Sequence, residues 1–571
     1  MRRVLLLALA ILALAVAAAA AAIWSNDLIL SIYGYRSPMR GDLPLTEGSS
    51  NPLASQVVLV LVDGLRYDTS LQMPYLHLLR QQAAHAVLHS SPPSSAQTAW
   101  TTIVSGAVPE INDAPLFDHS TEWIAPIAVD DLFAVANRSG LTGGIAGSQA
   151  WSKLVPSNSL YTQFFADPTD PASDRRVTEN ALVFLNEFKP NFLLVHLVQV
   201  DAAGRQHGAA SAEYGQAAVQ CDEEIRRLAE QMDLRRSVLL VTSSYGYLDS
   251  GGRGGEEAVL LRTPFVMAGR NVLPGDYGEI RAVDLAPTVA ALLGTPVPSS
   301  AQGRIQTSML TMDAVDRAEK LVLLATQRVR LGSMYLYSIG QGQLQETAQG
   351  DMLVAVSSLQ VKNYESAAEL AALSVEQTDR EMLQARRARV WGERTQRGIP
   401  LSLLVVILTW ALWRNRSTRE LWSMLAAGMA ATLYHVLLVQ EGRLYSFSDL
   451  PAEGLAATLE PSLQRAILSL GAGAMIVTWR AWREKERSAF DVLMRAYGYA
   501  GLLLALIAVA IGVFAWYNGP RFDWHLPSFA IAYVQFVALI QAMLTAAIAI
   551  PMPFAVVALQ RILLAITDRY A

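Results

Sequence analysis

The sequence predicts a globular α/β domain joined to a region of membrane-spanning helices. Between about Gln56 and Arg304, strand-like and helix-like segments alternate, a pattern typical of a sheet with helices on both faces. Apolar runs long enough to cross a bilayer lie at the N-terminus and again after Arg397. Hydrophobic residues make up 52% of the 571 residues, as expected when part of a chain is buried in lipid.

The first apolar run extends from Val4 to Trp24 and follows Met1-Arg2-Arg3. A transmembrane helix needs about 20 such residues. Residues 1–25 are therefore predicted to form an uncleaved signal anchor whose basic end stays in the cytoplasm. A cleaved signal peptide is the alternative, because the alanine-rich end of the run offers small residues for a cleavage site.

The α/β domain is predicted to span residues 50–310. Three apolar runs, Gln56–Val62, Phe192–Val198 and Val238–Val241, have the composition of buried strands, and Ala212–Met232 has that of a helix with one charged face. Strands that alternate with helices predict a parallel sheet covered on both faces.

Residues 311–398 are rich in Gln, Glu, Ala and Arg and are predicted to form a helical stalk that links the α/β domain to the membrane. Residues 399–571 are predicted to contain five transmembrane helices, which with the N-terminal anchor makes six. Their apolar runs are Ile399–Trp413, Leu421–Gln440, Leu463–Trp479, Ala496–Trp516 and Ser528–Leu559. Pro551 and Pro553 are expected to break the last run.

The positive-inside rule gives this arrangement an orientation. It predicts a multi-pass protein of the cytoplasmic membrane with an extracytoplasmic α/β domain and both termini in the cytoplasm. Two basic loops would then be cytoplasmic, one with Arg414, Arg416 and Arg419, the other with Arg480, Arg483, Lys485 and Arg487.

The composition excludes several classes of function. A net charge of −5 gives no basis for binding nucleic acid. With Cys221 as the single cysteine, the chain forms neither an intrachain disulfide nor a cysteine metal cluster. Ionisable residues are nearly absent from the interiors of the apolar runs, with His435 the one candidate, which argues against an ion or proton path.

Five segments carry a family resemblance. They are Val62–Arg66 (VDGLR), Trp100–Glu110 (WTTIVSGAVPE), Val200–Gly208 (VDAAGRQHG), Ser237–Glu257 (SVLLVTSSYGYLDSGGRGGEE) and Ala282–Gly294 (AVDLAPTVAALLG). In this order they resemble the motifs of the alkaline phosphatase superfamily, in particular its type I phosphodiesterase/nucleotide pyrophosphatase and membrane phosphoethanolamine transferase branches. The resemblance implies an alkaline-phosphatase-like αβα sandwich.

The resemblance also implies a site in which three aspartates and three histidines hold two divalent ions, Zn or Mn, around a phosphate ester. Asp63 and Asp201 match two of those aspartates. The other four positions hold Arg205, Ser244, Tyr245 and Arg253. Arginine donates hydrogen bonds only and does not coordinate a cation, so most metal ligands are replaced. His207, two residues beyond the expected histidine, would supply one ligand only if the register shifts.

The nucleophile of the family is a Ser or Thr hydroxyl, and ungapped counting from Ser105-Gly106 places Ala96 at its position. Ser94, Ser95 and Thr98 are neighbouring hydroxyls that a small gap in the matching would bring to this position, but a Ser/Thr cluster before a helix is also typical of an N-cap.

Three functions are compatible with these residues. The first is a membrane-anchored, catalytically inactive homologue without metal cofactors, acting as a structural or accessory subunit of a membrane assembly. Its partners would be the bilayer and other membrane subunits, such as those of a multi-subunit energy-transducing complex, and not nucleic acid. The second is an active metal-dependent phosphodiesterase or phosphoethanolamine transferase with an atypical site. The third is an anion-binding sensor in which Arg205 and Arg253 grip the ligand.

Overall fold

The computed structural model describes residues 2–39, 43–118, 124–414, 418–450 and 455–570. Arg416 and the side chain of Arg419, in one of the predicted cytoplasmic loops, lie outside this description. The chain divides into two compact units. The α/β unit comprises Tyr33–Val390 and Asp523–Leu526, and the helical unit comprises Met1–Ile32, Trp391–Phe522 and Pro527–Ala571.

The helices of the described chain, in order, are α1 (Arg2–Tyr33), α2 (Tyr67–Ser70), α3 (Pro74–Arg80), α4 (Ala96–Ser105), α5 (Pro109–Asn112), α6 (Leu132–Arg138), α7 (Trp151–Leu154), α8 (Ser173–Val183), α9 (Gln199–His207), α10 (Ala212–Gln231), α11 (Ala258–Leu261), α12 (Leu285–Leu293), α13 (Ala314–Ser338), α14 (Glu346–Gln360), α15 (Tyr364–Arg414), α16 (Thr418–Gln440), α17 (Leu459–Arg483), α18 (Ala489–Asn518), α19 (Phe529–Ile548) and α20 (Met552–Tyr570). The strands are β1 (Gln56–Val62), β2 (Ala84–His89), β3 (Gly143–Ser148), β4 (Thr162–Ala166), β5 (Phe192–Leu197), β6 (Ser237–Ser243), β7 (Arg262–Gly269) and β8 (Gly275–Arg281).

The α/β unit is built on one eight-stranded sheet with the order β4-β3-β5-β1-β6-β7-β2-β8. β1 lies at its centre and pairs in parallel with β5 and β6. The prediction of a parallel sheet is wrong for one strand, because β7 runs antiparallel to both β6 and β2. The connection from β6 to β7 passes through the Gly-rich loop and the short helix α11. It contains no long helix of the kind that usually connects two parallel strands.

Alternating residues of β1 face two separate hydrophobic clusters. Val57, Leu59 and Leu61 pack with residues of α4 and α12 on one face. Val58, Val60 and Val62 pack with residues of α3, α8 and α10 on the other. Each fully buried side chain of this kind contributes about 1.5–3 kcal/mol relative to exposure. The unit is therefore an αβα sandwich, as predicted.

The segment predicted to be a stalk packs on the α/β core. Side chains of α13, α14 and α15 belong to the same hydrophobic cluster as α4 and α12, among them Ala318, Ala325, Ala355, Ala367 and Val375. α15 belongs to the α/β unit as far as Val390, continues through Pro400 and ends at Arg414.

Five helices of the described chain are long and apolar enough to cross a membrane, namely α1, α15, α16, α18 and α19. α17 covers the predicted span Leu463–Trp479 but does not reach that hydropathy, so the count of six stays a prediction. The last predicted run is divided at Pro551 into α19 and α20.

Candidate functional site

The candidate site lies where three neighbouring strands end. Asp63 directly follows β1, Ser244 and Tyr245 directly follow β6, and Asp201 lies in the first turn of α9, after β5. Val62 is paired with Leu197 of β5 and Ser243 of β6. Because the strands are parallel, their carboxyl ends meet at one edge of the sheet, where α/β proteins place their ligands.

A cavity of about 580 Å³ opens at this edge. The two aspartates line it, together with Ala96, Tyr245 and Arg253. Arg205 and His207, at the C-terminal end of α9, also line it, and both are exposed. The structure thus brings seven of the sequence-predicted residues together around one space, whereas Ser95, Thr98 and Ser244 are not among the described residues that line it.

The carboxylate of Asp63 is surrounded by protein donors. The indole Nε1 of Trp100 and the hydroxyl of Ser244 donate to Oδ1 over 2.7 and 2.6 Å. Nε2 of His196 lies 3.0 Å from Oδ2. His196 is fully buried and Asp63 is 3% exposed, so these contacts replace the hydration that the carboxylate loses on burial.

Asp201 has a second set of partners. The hydroxyls of Tyr245 and Tyr247 each donate to Oδ1 over 2.7 Å, and Nη2 of Arg205 donates to Oδ2 over 2.7 Å. Nε of Arg253 lies 3.7 Å from Oδ1. Burial acts to raise the pKa of Asp201, but the charges of Arg253 and Arg205 and the two tyrosine hydroxyls hold that pKa below its ordinary value. Asp201 is therefore ionised at neutral pH.

Arg253 is held in place on several sides. Its Nη1 lies 2.6 Å from Oδ2 of Asp118, and its Nε donates to the hydroxyl of Tyr247 over 2.9 Å. The guanidinium also lies 4.5 Å from the centroid of the Tyr245 ring. Burial acts to lower the pKa of Arg253, but Asp118, the two tyrosines and Asp201 raise it well above the ordinary value. The guanidinium is thus a permanent cation at the position that the sequence resemblance matches to a metal ligand.

Gly204 makes room for this arrangement. A Cβ at this position would lie 2.4 Å from Cδ2 of Tyr247. The glycine of the Asp-x-x-Gly segment therefore allows the Tyr247 ring to pack against α9 and its hydroxyl to reach Asp201.

The position expected for the nucleophile carries no hydroxyl. Ala96 is the first residue of α4 and lines the cavity. Ser95 occupies the N-cap position, but its side chain makes no capping bond to a backbone N–H and instead donates to Oγ1 of Thr98. Thr98 donates to the carbonyl of Pro115, and Ser94 to that of Gly255. The three hydroxyls are thus engaged elsewhere, and none belongs to the described residues that line the cavity.

The donors at this edge do not fit the pair of divalent metals that the fold family implies. Oδ1 of Asp63 and both oxygens of Asp201 already accept hydrogen bonds from side chains. Guanidinium, phenol and hydroxyl groups stand at the positions that the resemblance matches to the remaining ligands, and a structural zinc site needs four N, S or O ligands. Within the described ranges, no group of three or more His, Cys, Asp or Glu side chains is placed to hold a metal ion.

Four partners in this site were not predicted from the sequence, namely Trp100, Asp118, His196 and Tyr247. His196 is the one polar residue in an otherwise apolar strand, and Tyr247 lies two positions after Tyr245 in the segment Tyr-Gly-Tyr. Both features can be seen in the sequence, but neither shows by itself which carboxylate the side chain contacts.

Comparisons with known proteins support the superfamily. The sequence profile described as "Type I phosphodiesterase / nucleotide pyrophosphatase" matches residues 135–299. The chain is 25% identical over 331 residues to the human "GPI ethanolamine phosphate transferase 3, catalytic subunit", covering 51% of this chain and 30% of the relative. It is 24% identical over 278 residues to the human "GPI ethanolamine phosphate transferase 2, catalytic subunit", covering 44% and 28%. The chain thus matches less than a third of the length of these two relatives.

Among solved structures, murine ectonucleotide pyrophosphatase/phosphodiesterase 5 aligns with a TM-score of 0.36 and 12% identity, covering 42% of this chain and 96% of that one. A phosphonate monoester hydrolase from Silicibacter pomeroyi aligns with a TM-score of 0.35 and 14% identity, covering 45% and 76%.

Proposed function

Because the α/β unit belongs to the alkaline phosphatase superfamily, we propose that this membrane protein is a metal-free, non-catalytic member that acts as a structural or accessory subunit of a membrane assembly. The observation that carries the proposal is that the two aspartates matched to family ligands already have side-chain partners. Asp63 and Asp201 accept hydrogen bonds from tryptophan, serine, tyrosine and arginine side chains, which satisfies groups that would otherwise bind metal.

The charge of Arg253 opposes a divalent cation at Asp201. Arg253 lies 3.7 Å from Asp201, so a metal bound to this carboxylate would stand close to its half-buried guanidinium. Two unit charges 4 Å apart repel by about 4 kcal/mol at an effective dielectric constant of 20, and a divalent ion doubles this. A metal would also have to displace two tyrosine hydroxyls from Oδ1.

The chemistry lacks a second component. Phosphoryl transfer in this superfamily uses a side-chain nucleophile next to the metals, and ungapped counting along the sequence matches Ala96, which lines the cavity, to that position. Metal binding alone would therefore not restore turnover by this route.

The second candidate is an active metal-dependent phosphodiesterase or phosphoethanolamine transferase. It is favoured by the open cavity of about 580 Å³ beside both aspartates and by relatives that bear the name ethanolamine phosphate transferase. The third candidate, an anion sensor, would rely on Arg205, whose side chain is 63% exposed. Its ion pair with Asp201 reduces the charge that an anion would meet.

Elemental analysis and activity assays distinguish the first two candidates. The purified full chain is expected to contain no stoichiometric Zn²⁺ or Mn²⁺ and to leave phosphodiester and phosphomonoester substrates intact, with or without added metal. About two metals per chain, with turnover that is lost in Asp63→Ala and kept in Asp276→Ala, would overturn the proposal. Asp276 is a suitable control because it lies on β8 and not among the residues that line the cavity.

We also propose that the α/β unit is extracytoplasmic. A contact within this unit supports part of the predicted topology. Asp523–Leu526 lies between the apolar helices α18 and α19 but belongs to the α/β unit. The backbone N–H of Leu526 donates to Glu110 over 3.0 Å, and Arg386 donates to the carbonyl of Leu526 over 3.0 Å. This loop and the α/β unit would then lie on the same side of the membrane.

Cysteine labelling tests this topology. With Cys221 replaced by Ala, a single cysteine at Arg521 is expected to react with an impermeant reagent added outside intact cells, whereas one at Arg487 is expected to react only after permeabilisation. The reverse pattern would contradict the orientation. Isolation of the tagged chain in mild detergent is expected to recover other membrane subunits, and recovery of the chain by itself would contradict the accessory role.

A further inference from the structure

A second large cavity lies in the helical unit, away from the aspartates of the candidate site in sequence and in fold. It measures about 750 Å³ and is bordered by α16, α17 and α18. Volumes of 300–1,000 Å³ are typical of small-molecule sites. Arg480 of α17 and Asp491 of α18 line it beside Trp422 and Phe490. Charged residues and tryptophans at the ends of apolar helices mark the headgroup level of a membrane.

Arg480 supplies a cation that is only partly neutralised. Its Nη2 lies 2.9 Å from Oε1 of Glu484, which is its one ion pair among the described residues. Oε2 of the same glutamate lies 2.7 Å from Arg495, so two arginines share this carboxylate. Arg495 has a further partner in Glu486, at 2.9 Å. Arg480 therefore retains N–H donors and positive charge with which to bind a further anion.

Asp491 supplies the opposite charge at the same cavity. It is exposed, and its backbone N–H donates to the hydroxyl of Ser488. No ion pair with its carboxylate occurs within the part of the chain that the structure describes. The cavity thus presents a guanidinium with spare donors and a carboxylate that has no ion pair among the described residues, and the charges of its described lining residues cancel.

This combination matches a ligand that carries both charges. Guanidinium groups bind phosphate through strong, charge-assisted hydrogen bonds. A carboxylate suits an ammonium group, and Asp491 lines the same cavity as Arg480. At the headgroup level of a bilayer, the molecule that carries both a phosphate and an ammonium group is a zwitterionic phospholipid.

We propose that this cavity binds the headgroup of a zwitterionic phospholipid, with its phosphate at Arg480 and its ammonium group at Asp491. The proposal is independent of the proposed loss of catalysis in the α/β unit. It would give the chain a specific lipid ligand in addition to the surrounding bilayer.

Gly498 provides a steric test of the same site. It lines the cavity, and a Cβ at this position meets no atom within 4 Å. Gly498→Leu therefore places a side chain in empty space without a backbone clash. Gly501 lies on the same helix and is equally open, but it is absent from the described residues that line the cavity. Gly501→Leu is its matched control.

The experiment measures lipid retention by native mass spectrometry of the full chain, titrated in detergent with phosphatidylethanolamine, phosphatidylcholine or phosphatidylglycerol. The wild type is expected to retain one molecule of either zwitterionic lipid more tightly than the anionic one. Arg480→Gln and Asp491→Asn are expected to weaken retention about tenfold or more, the size expected for one hydrogen bond to a charged group. Gly498→Leu is expected to abolish retention.

Arg483→Gln removes a neighbouring exposed charge that does not line the cavity, and it is expected to retain lipid as the wild type does. Thermal unfolding of each variant separates lost binding from lost folding. Equal retention in Gly498→Leu and Gly501→Leu would overturn the assignment of the site. Tighter binding of phosphatidylglycerol that Asp491→Asn leaves unchanged would overturn the zwitterionic ligand, and full competition by free phosphoethanolamine would overturn a lipid ligand.

Discussion

The role of Asp201 can be tested by replacing it with asparagine. In the structure, this carboxylate is a buried counter-ion: it accepts hydrogen bonds from Tyr245 and Tyr247 and lies between Arg205 and Arg253. Asparagine has nearly the same shape and keeps one acceptor oxygen, but it removes the negative charge. The variant therefore isolates the electrostatic contribution of the site.

The expected loss follows from the contacts. Two hydrogen bonds change from a charged to a neutral acceptor, at about 1 kcal/mol each, because bonds to charged groups contribute about 1.5–3 and neutral ones about 0.5–1.5 kcal/mol. Arg253 loses the negative charge of Asp201 but keeps Asp118 as a partner. The cost of this lost ion pair therefore stays below the 3–5 kcal/mol for breaking a buried pair completely. Together, Asp201→Asn is expected to lower the free energy of unfolding by about 3 kcal/mol.

The matched control is Asp249→Asn. Asp249 also pairs with an arginine, Arg66, at 2.5 Å, but its side chain is 77% exposed. Exposed ion pairs contribute about 0–1 kcal/mol, so this variant should unfold close to the wild type.

Thermal unfolding of the purified chain in EDTA and in added Zn²⁺ is the deciding measurement. A structural counter-ion gives the same difference between wild type and Asp201→Asn under both conditions. If the difference is present with Zn²⁺ and disappears in EDTA, Asp201 binds metal in the wild type and the structural interpretation of the site is wrong.

Three further predictions concern the same site. Because the folded-state pKa of Asp201 is lowered, its stabilising contribution should be complete above its unfolded pKa and should decrease as pH falls through the folded value; acid titration of unfolding should show a smaller slope below about pH 4 in Asp201→Asn than in the wild type. Gly204→Ala should destabilise the fold by about 1–3 kcal/mol through overpacking against Tyr247, whereas Gly215→Ala, which meets no atom within 4 Å on helix α10, should be neutral or stabilising in chemical denaturation. A variant that restores the family ligands combines Arg205→His, Ser244→Asp, Tyr245→His and Arg253→His. It should regain metal affinity, measured by calorimetry, before it regains activity, measured by phosphodiester hydrolysis. A folded variant that stays metal-free would show that the residue matching is wrong.

The contacts of the candidate site explain how the α/β unit accommodates two buried acidic side chains. A buried carboxylate without a partner is strongly destabilising. Trp100 and Ser244 now satisfy Asp63, while the tyrosines and arginines satisfy Asp201. Each network is matched to one aspartate, so a substitution in one is expected to leave the other largely intact.

The sequence by itself determined the fold class and the residue types that meet at the candidate site. Buried strands such as β1 are recognisable because six consecutive apolar residues, Val57–Val62, are a local property of the chain. The order of the five motif segments was enough to place Asp63, Asp201, Ser244 and Arg253 at one edge of the sheet, because parallel strands align their carboxyl ends.

Only the tertiary structure decided which side chains satisfy those carboxylates. Ser244 reaches Asp63 across 181 positions of sequence and Trp100 across 37, and these contacts depend on strand register and on the packing of α4. The same reason applies to β7, to Asp523–Leu526 in the α/β unit, and to α13–α15, whose alanines belong to the same hydrophobic cluster as α4 and α12. An apolar pattern shows that a face is buried, but its partner is fixed by long-range packing that the local pattern does not encode.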